Sequence, residues 1–364
     1  MNDSFSNLYI KYNNSMKFHL LRIKAIQKLT SDSVKITFDI PTTLQDEYTF
    51  LPGQYITLDI NGERRDYSIC ESPLNKEWSI GVKAMEGGKI STYLVNDLKV
   101  GDELKVSTPN GRFTIPSKPN EKRTLIAFTA GSGITPIMSM AEYTLQTEEW
   151  VNFHIFYVNK NSNSVMFKDK LEDLSAKYPN NIHVHHFYTQ EDQENFIFNG
   201  RIDEKKFDLI LNQLIDINEV DEAMICGPEE MIFTLAKKIN EAGIIEKHIH
   251  FELFTTAIKP EQVFEKNEDE VQEVNVKVTL DGEEVEFTWN REKNLIDAML
   301  DNDIDAPYSC KGGVCSSCMC KVTEGEVNIG ENFVLTDSDY EDGLTLACIS
   351  RPKTSTLAID FDDV

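Results

Sequence analysis

The chain has 364 residues, of which 40% are hydrophobic and 27% charged, with 61 acidic against 36 basic side chains and a formal net charge of −25. That length implies two or three domains rather than one core. The negative balance repels nucleic-acid phosphates and anionic lipid, and no apolar run approaches the roughly eighteen residues of a membrane span, so neither nucleic acid nor membrane is an expected partner. Residues 1–15 lack the basic start, apolar middle and cleavage site of an export signal and read as a disordered tail or as an over-called start preceding Met16. Cytoplasm is the expected compartment, where thiols stay reduced unless metal or catalysis claims them.

From residue 16 to 118 the pattern is short strands. VKITFDI, QYITLDI, DYSIC, EWSIGVKAM and DELKVSTP are separated by turn signals at Pro52-Gly53, Asn61-Gly62, Gly87-Gly88 and Asn110-Gly111. Many short strands without a long helical pattern predict a closed antiparallel β-barrel. Within it, RRDYSIC carries Arg65, Tyr67, Ser68 and Ile69, and GGKIST carries Gly88, Lys89, Ile90, Ser91 and Thr92, the second opening a short helix through Tyr93 and Leu94. Taken alone, the first is a strand with a surface arginine and the second an ordinary turn and cap.

Residues 119–258 change character. TLIAFTA is a continuous apolar strand, followed by AGSGITP and a helix from about Pro136. FHIFYV, VMFKDKLEDLSAKY, HVHHFYT, KFDLILNQL, EAMICG and EEMIFTLAKKINEAG continue a strand–helix alternation that predicts a parallel sheet covered on both faces. Phe167, Leu171 and Leu174 fall at helix spacing. The glycine turn Gly131 to Gly133 is not the G-x-G-x-x-G fingerprint, because Pro136 takes the last place. It would still let a diphosphate approach, with Thr135 as cap and Pro136 as first helical residue. His183 and His185 share a strand face, where structural roles are commonest.

Residues 259–272 are charged, with few apolar groups, and read as a linker. Beyond them, VNVKVTL-DG-EEVEFTW is a hairpin turning at Asp281-Gly282, with Val274, Val276, Val278 and Val285, Phe287, Trp289 alternating on its arms. An amphipathic helix around Leu295, Ile296 and Met299 follows. Then SCKGGVCSSCMCKV brings Cys310, Cys315 and Cys318 in C-x4-C-x2-C spacing, with Cys348 thirty residues further on. Zinc prefers paired knuckles or a Cys/His mixture. Three thiolates from one loop and a fourth from afar suit a [2Fe–2S] centre, and Gly312 and Gly313 allow close backbone approach to the sulfurs. Cys320 reads as a small buried side chain.

PYSCKGGVCSSCMCKVTEGEV with the late LACISRP resembles the ferredoxin domain of plant-type ferredoxin-linked reductases, above all those serving phenylacetyl-CoA epoxidation. The Arg65-x-Tyr67-Ser68 stretch and GGKIST resemble the two flavin segments of the ferredoxin-NADP reductase superfamily. The resemblance runs from residue 16 to 363. It implies a flavin-binding barrel (16–118), an NAD(P)H-binding α/β domain (119–258) and a β-grasp ferredoxin (273–364). FAD is implied over FMN because two phosphate segments suit a diphosphate. In that setting Arg65 would offset the pyrophosphate charge, Tyr67 would pack on the flavin ring and Ser68 would hydrogen-bond its N5. Gly88, Ser91 and Thr92 would donate to the diphosphate. Gly131, Gly133, Thr135 and Pro136 are assigned to NAD(P)H. So are Cys226, Gly227 and Pro228 of CGPEEMI, Cys226 lying near the carbon that yields the hydride. Glu252 and Phe254 of FELF would lie where nicotinamide meets flavin.

After FHIFYV the chain has Asn159, Lys160, Asn161 and Ser162 instead of the acid that would bond the ribose hydroxyls of NADH. A cation with amides and hydroxyls suits a 2′-phosphate, so NADPH is the expected donor and NADH the alternative. The expected function is NAD(P)H-dependent electron transfer through FAD and a [2Fe–2S] cluster to a protein acceptor, a di-iron oxygenase complex. Alternatives are a reductase for another oxygenase or a hybrid-cluster protein, and a non-catalytic redox-sensing module. Residues 273–364 hold 20 acidic and 7 basic side chains, a candidate steering surface for a basic patch on the acceptor.

Overall fold

The computed structural model describes residues 16–254, 273–330, 332 and 334–364; the expected tail and linker lie outside the described residues. The chain divides into two compact units, one holding the described residues from Phe18 to Phe254 and the other those from Glu273 to Val364.

The first unit starts with an antiparallel sheet of β1 (Phe18–Thr30), β2 (Ser33–Asp39), β3 (Tyr55–Ile60), β4 (Glu63–Ser68), β5 (Trp78–Lys83) and β6 (Glu103–Ser107), with α1 (Lys89–Asn96) between the last two. The order is β4-β3-β6-β1-β2-β5. An Ile69–Ile80 bridge and the Cys70 N–H donating to Ser79 O (2.9 Å) join the two ends, so the sheet closes as expected of a barrel. Its interior is filled by Leu21, Ile23, Ile36, Phe38, Ile56, Leu58 and their neighbours. The 13-residue β1 was not singled out in the sequence, because several of its outward positions are charged and its turn signals are weak.

Next come five parallel strands, β7 (Arg123–Ala130), β8 (Val151–Asn159), β9 (Ile182–Tyr188), β10 (Val220–Gly227) and β11 (Ile249–Leu253), ordered β11-β10-β7-β8-β9. Helices α2 (Ile134–Thr147), α3 (Lys168–Lys177), α4 (Glu204–Gln213) and α5 (Glu229–Glu241) connect them. Two separate apolar cores lie in this part, one containing Leu125, Ile137, Phe153 and Tyr157 and the other Phe128, Phe156, Phe207 and Leu235. Sheet faces buried on both sides account for the continuous apolar runs.

Phe167 departs from the expected helix. It precedes α3 in a left-handed conformation (φ 58°), and its ring presses on the barrel: a Cβ on Gly81 would lie 2.9 Å from Phe167 Cζ and 2.4 Å from Thr135 Cγ2. Packing against β5, rather than helix periodicity, decides its place.

The second unit pairs β12 (Glu273–Leu280) with β13 (Glu283–Asn290) across Asp281 (φ 57°) and Gly282 (φ 76°), the tight turn the sequence predicts. Then come α6 (Leu295–Asp301), β14 (Met319–Glu324), β15 (Val327–Ile329), α7 (Asp337–Glu341), β16 (Leu344–Leu346), β17 (Ser350–Pro352) and β18 (Thr356–Asp360). The main sheet runs β13-β12-β18-β14-β16, with β12 and β18 parallel. Val274, Val276, Val278, Trp289, Leu295, Ile296 and Met299 form its core, while Val285 is exposed. Among the described residues no helix is long and apolar enough to cross a membrane.

Candidate redox and nucleotide sites

The cysteine loop occupies residues 310–318, just before β14. Gly313 takes φ 73° and Lys311 φ 52°, turns that fold the loop back on itself. Cys310 Sγ and Cys315 Sγ are 3.1 Å apart, and Cys348 shares hydrogen bonds with the thiols of Cys310 and Cys318. The four predicted sulfurs therefore converge. The Gly312 N–H reaches Cys310 Sγ at 3.4 Å. The Cys315 and Cys348 thiols, helped by the N–H groups of Gly312 and Val314, hold the Cys310 thiol far below its ordinary range, while sharing with Cys310 and Cys318 and burial push Cys348 up. Sulfurs this close, with a backbone N–H turned toward one of them, are the donor set of a thiolate metal nest. Cys320 is fully buried in the core of its unit, the role expected of it.

In the barrel, β4 delivers Arg65, Tyr67 and Ser68. Arg65 is partly exposed, its only ion pair among the described residues a weak one to Glu63 at 3.5 Å. Tyr67 packs partly buried against the barrel core. Ser68 Oγ donates to Glu252 Oε2 at 3.2 Å, linking the barrel to the end of β11. Glu252 is half-buried, and desolvation raises its carboxyl to about 8, with the Ser68 bond opposing and Asp66 adding to the rise. β11 pairs Glu252 with Cys226 on β10. Phe254 follows, its N–H donating to Gly227 O at 3.2 Å.

The glycine turn Gly131–Gly133 meets the same place from β7. A Cβ on Gly133 would lie 2.2 Å from Cys226 O, so only glycine lets the turn pack on the end of β10. Tyr157 Oη donates to Gly131 O at 2.9 Å and fixes the turn from β8. Pro228 precedes α5 in an extended conformation, outside the helix. Asn159 ends β8 buried, with neither amide atom hydrogen-bonded, and Thr129 Oγ1 is likewise without a partner. Two unsatisfied buried polar groups beside the N-terminus of α2 fit a polar ligand.

Several of the expected contact residues have partners within the protein. Ile69 and Ile90 turn into the barrel core, because Ile69 completes the barrel closure against Ile80 and Ile90 lies on the inner face of α1. The Ile69 N–H is itself taken, donating to Gln54 O at 2.9 Å. The Ser91 hydroxyl accepts from Met85 N (3.1 Å) and donates to Gly88 O (3.4 Å), committing it to its own turn. Lys89 and Thr92 are exposed. Thr135 does not cap α2: its hydroxyl donates to Ser132 O at 2.9 Å. Pro136 is the third helical residue, because the Gly131–Gly133 turn runs straight into a helix starting at Ile134. The Cys226 side chain has no exposed surface, and burial, with Glu252 nearby, pushes its thiol well up; it can shape the site but not donate protons to it.

The loop after β8 differs from expectation as well. Lys160 is exposed, but the N–H and hydroxyl of Ser162 both donate to Glu191 Oε2, each at 2.9 Å. The sequence pattern did not point to Glu191, which stands 29 residues away after the neighbouring strand and has no local motif.

Comparison with known proteins matches three family models in order: an oxidoreductase FAD-binding domain over residues 20–115, an oxidoreductase NAD-binding domain over 126–237 and a 2Fe-2S iron-sulfur cluster binding domain over 278–353. The chain is 38% identical over 352 residues to a subunit of the 1,2-phenylacetyl-CoA epoxidase of Escherichia coli, covering 95% of this chain and 98% of that protein. It is 32% identical over 358 residues to the ferredoxin reductase component of the 3-ketosteroid-9-alpha-monooxygenase of Rhodococcus rhodochrous (94% and 96%). The fold is similar to that of phthalate dioxygenase reductase, with a TM-score of 0.56 and 23% identity over 94% of this chain and 98% of that one.

Proposed function

The chain belongs to the NAD(P)H-dependent reductase family that joins FAD-binding, NAD-binding and [2Fe–2S] domains in one polypeptide, and on that premise we propose that it draws electrons from NADPH and delivers them to a di-iron oxygenase that epoxidises phenylacetyl-CoA. The observation carrying the electron-transfer part is the convergence of four thiols in a chain that also ties Ser68 to Glu252 at the head of its nucleotide sheet. The 38% identity to the epoxidase component supports the choice of acceptor. A thiolate-held cluster suits the reducing cytoplasm.

When bound, FAD and the [2Fe–2S] centre supply the conversion of one two-electron hydride into single-electron deliveries. The chain's part is placement. Arg65 and the N–H groups of the first turn of α1 would supply positive charge and donors to a diphosphate, and Gly88 suits that turn: a Cβ there would meet Ser91 Oγ at 2.6 Å. The α2 N-terminus, Asn159 and Thr129 offer donors to the nicotinamide nucleotide, and Lys160 supplies the charge for a 2′-phosphate. Ser68 and Glu252 hold a proton between barrel and sheet. A neutral Glu252 can donate to Ser68 Oγ and leave the Ser68 O–H free to point at a ligand; an ionised one takes that donor for itself. Cys310, Cys315, Cys318 and Cys348 would hold the irons.

The test is reconstitution. The purified reductase with a phenylacetyl-CoA oxygenase complex should give NADPH-dependent loss of phenylacetyl-CoA with formation of its epoxide. Stimulation of an unrelated ring-hydroxylating oxygenase, with none of the epoxidase, would overturn the choice of acceptor.

A further inference from the structure

Three residues after β4 ends at Ser68, the Glu71 side chain is buried where the barrel meets α2 and α3 of the nucleotide layer. Lys170, from α3, reaches two carboxylates at once: Glu71 of the barrel at 2.7 Å and Glu142 of α2 at 2.8 Å. Lys35, from β2, holds Glu71 from the barrel side at 2.5 Å. Asn75 donates to both Glu71 (3.1 Å) and Glu142 (3.0 Å), and Ser139 Oγ of α2 donates to Glu71 O at 2.6 Å. One ammonium thus pairs with a carboxylate on each side of the boundary, and Lys35 supplies the second positive charge on the barrel side. Lys170 acts three residues beyond Ser68 and on the helix that starts at the glycine turn.

We propose that Lys170 is a positioning residue for hydride transfer, clamping α2 and α3 to the segment that follows the Ser68 strand so that the nicotinamide held by the sheet faces the flavin held by the barrel. This rests on the reading that nicotinamide meets flavin between those two layers. A buried pair that loses one partner leaves an uncompensated charge. Without Lys170, Glu142 keeps only neutral donors, Asn75 and the Ser72 N–H, and the two carboxylates repel across the boundary. Misplacement by about 1 Å at a reacting centre costs on the order of 100-fold in rate.

The experiment is stopped-flow reduction of the FAD-loaded full chain by NADPH. Lys170→Met should lower the limiting rate of flavin reduction by roughly 10- to 100-fold and weaken the long-wavelength nicotinamide–flavin charge-transfer absorbance. FAD content and photochemical reduction of the flavin should stay unchanged, and Lys170→Arg should recover most of the rate. Glu142→Gln loosens the same clamp without leaving a buried unpaired carboxylate, should slow reduction in the same sense, and decides the matter if Lys170→Met does not fold. A folded Lys170→Met or Glu142→Gln protein reduced at the wild-type rate would overturn the inference, as would a loss that Arg does not restore. A wild-type flavin that NADPH fails to reduce would instead sink the functional reading beneath it.

Discussion

Replacing Glu252 by Gln isolates one proton at the centre of the site. Its carboxyl is raised from 4.5 to about 8, chiefly by burial, a preference for the neutral form worth about 5 kcal/mol at 1.36 kcal/mol per unit. The unfolded chain ionises this group from pH 4.5, while the folded chain keeps it protonated. The folded state's advantage is therefore complete below pH 4.5 and is lost as pH rises through about 8, at up to about 1.4 kcal/mol per pH unit. Glutamine does not titrate, so the variant should lack this slope and outlast the wild type above about pH 8. The assay is denaturant unfolding of both proteins from about pH 6 to 9, followed by release of flavin fluorescence. The rate of flavin reduction gives a second reading. Wild-type reduction should fall above about pH 8, where the carboxylate claims the Ser68 hydroxyl, by roughly 5- to 10-fold for about 1 kcal/mol of hydrogen bonding; the variant should show a flat profile. Parallel stability and rate profiles for the two proteins would refute the reasoning.

Other side chains give further expectations. Cys348→Ser should abolish the iron–sulfur absorbance and lower bound iron while leaving FAD in place, whereas Cys320→Ala should keep the cluster; iron and flavin analysis with a visible spectrum checks both. Lys160→Ser should reduce kcat/KM for NADPH on the order of 10-fold and spare NADH, because the Ser162 donors are already held by Glu191; steady-state kinetics with both nucleotides decides it. His154, packed against His183 and His185 with its Nδ1 3.3 Å from His185 Nε2, is lowered from 6.5 to about 4 by burial and those two neighbours. The stability this neutral ring contributes is present above pH 6.5 and lost as pH falls toward 4, about 3 kcal/mol in all. Urea midpoints between about pH 4 and 7 should show that loss, and His154→Phe should reduce it.

What the sequence made legible was local. The Asp281-Gly282 hairpin could be read residue by residue because turn chemistry and alternation agree, and the cysteine spacing carries its own geometry. The fold class followed from strand length and from the switch between alternating and continuous apolar runs. Expectations failed where tertiary contacts overrode local pattern. Phe167 continues a helical spacing but is pulled toward Gly81, and Ile69 sits inside a binding motif yet its backbone bridges to Ile80 and its side chain fills the barrel core. Thr135 looks like a cap until the preceding turn supplies a nearer carbonyl at Ser132. Glu191 and the Lys170 clamp were beyond reach, since their partners lie 28 to 99 residues away and no motif joins them.

The most direct measurement is an anaerobic titration of the purified holoprotein with NADPH, followed by visible absorption and low-temperature electron paramagnetic resonance. Electron transfer from nucleotide through flavin to iron predicts bleaching of flavin and iron–sulfur bands together, with a rhombic reduced-cluster signal growing as NADPH is added. A flavin that bleaches while the cluster stays oxidised, or a protein with zinc in place of iron, would contradict it.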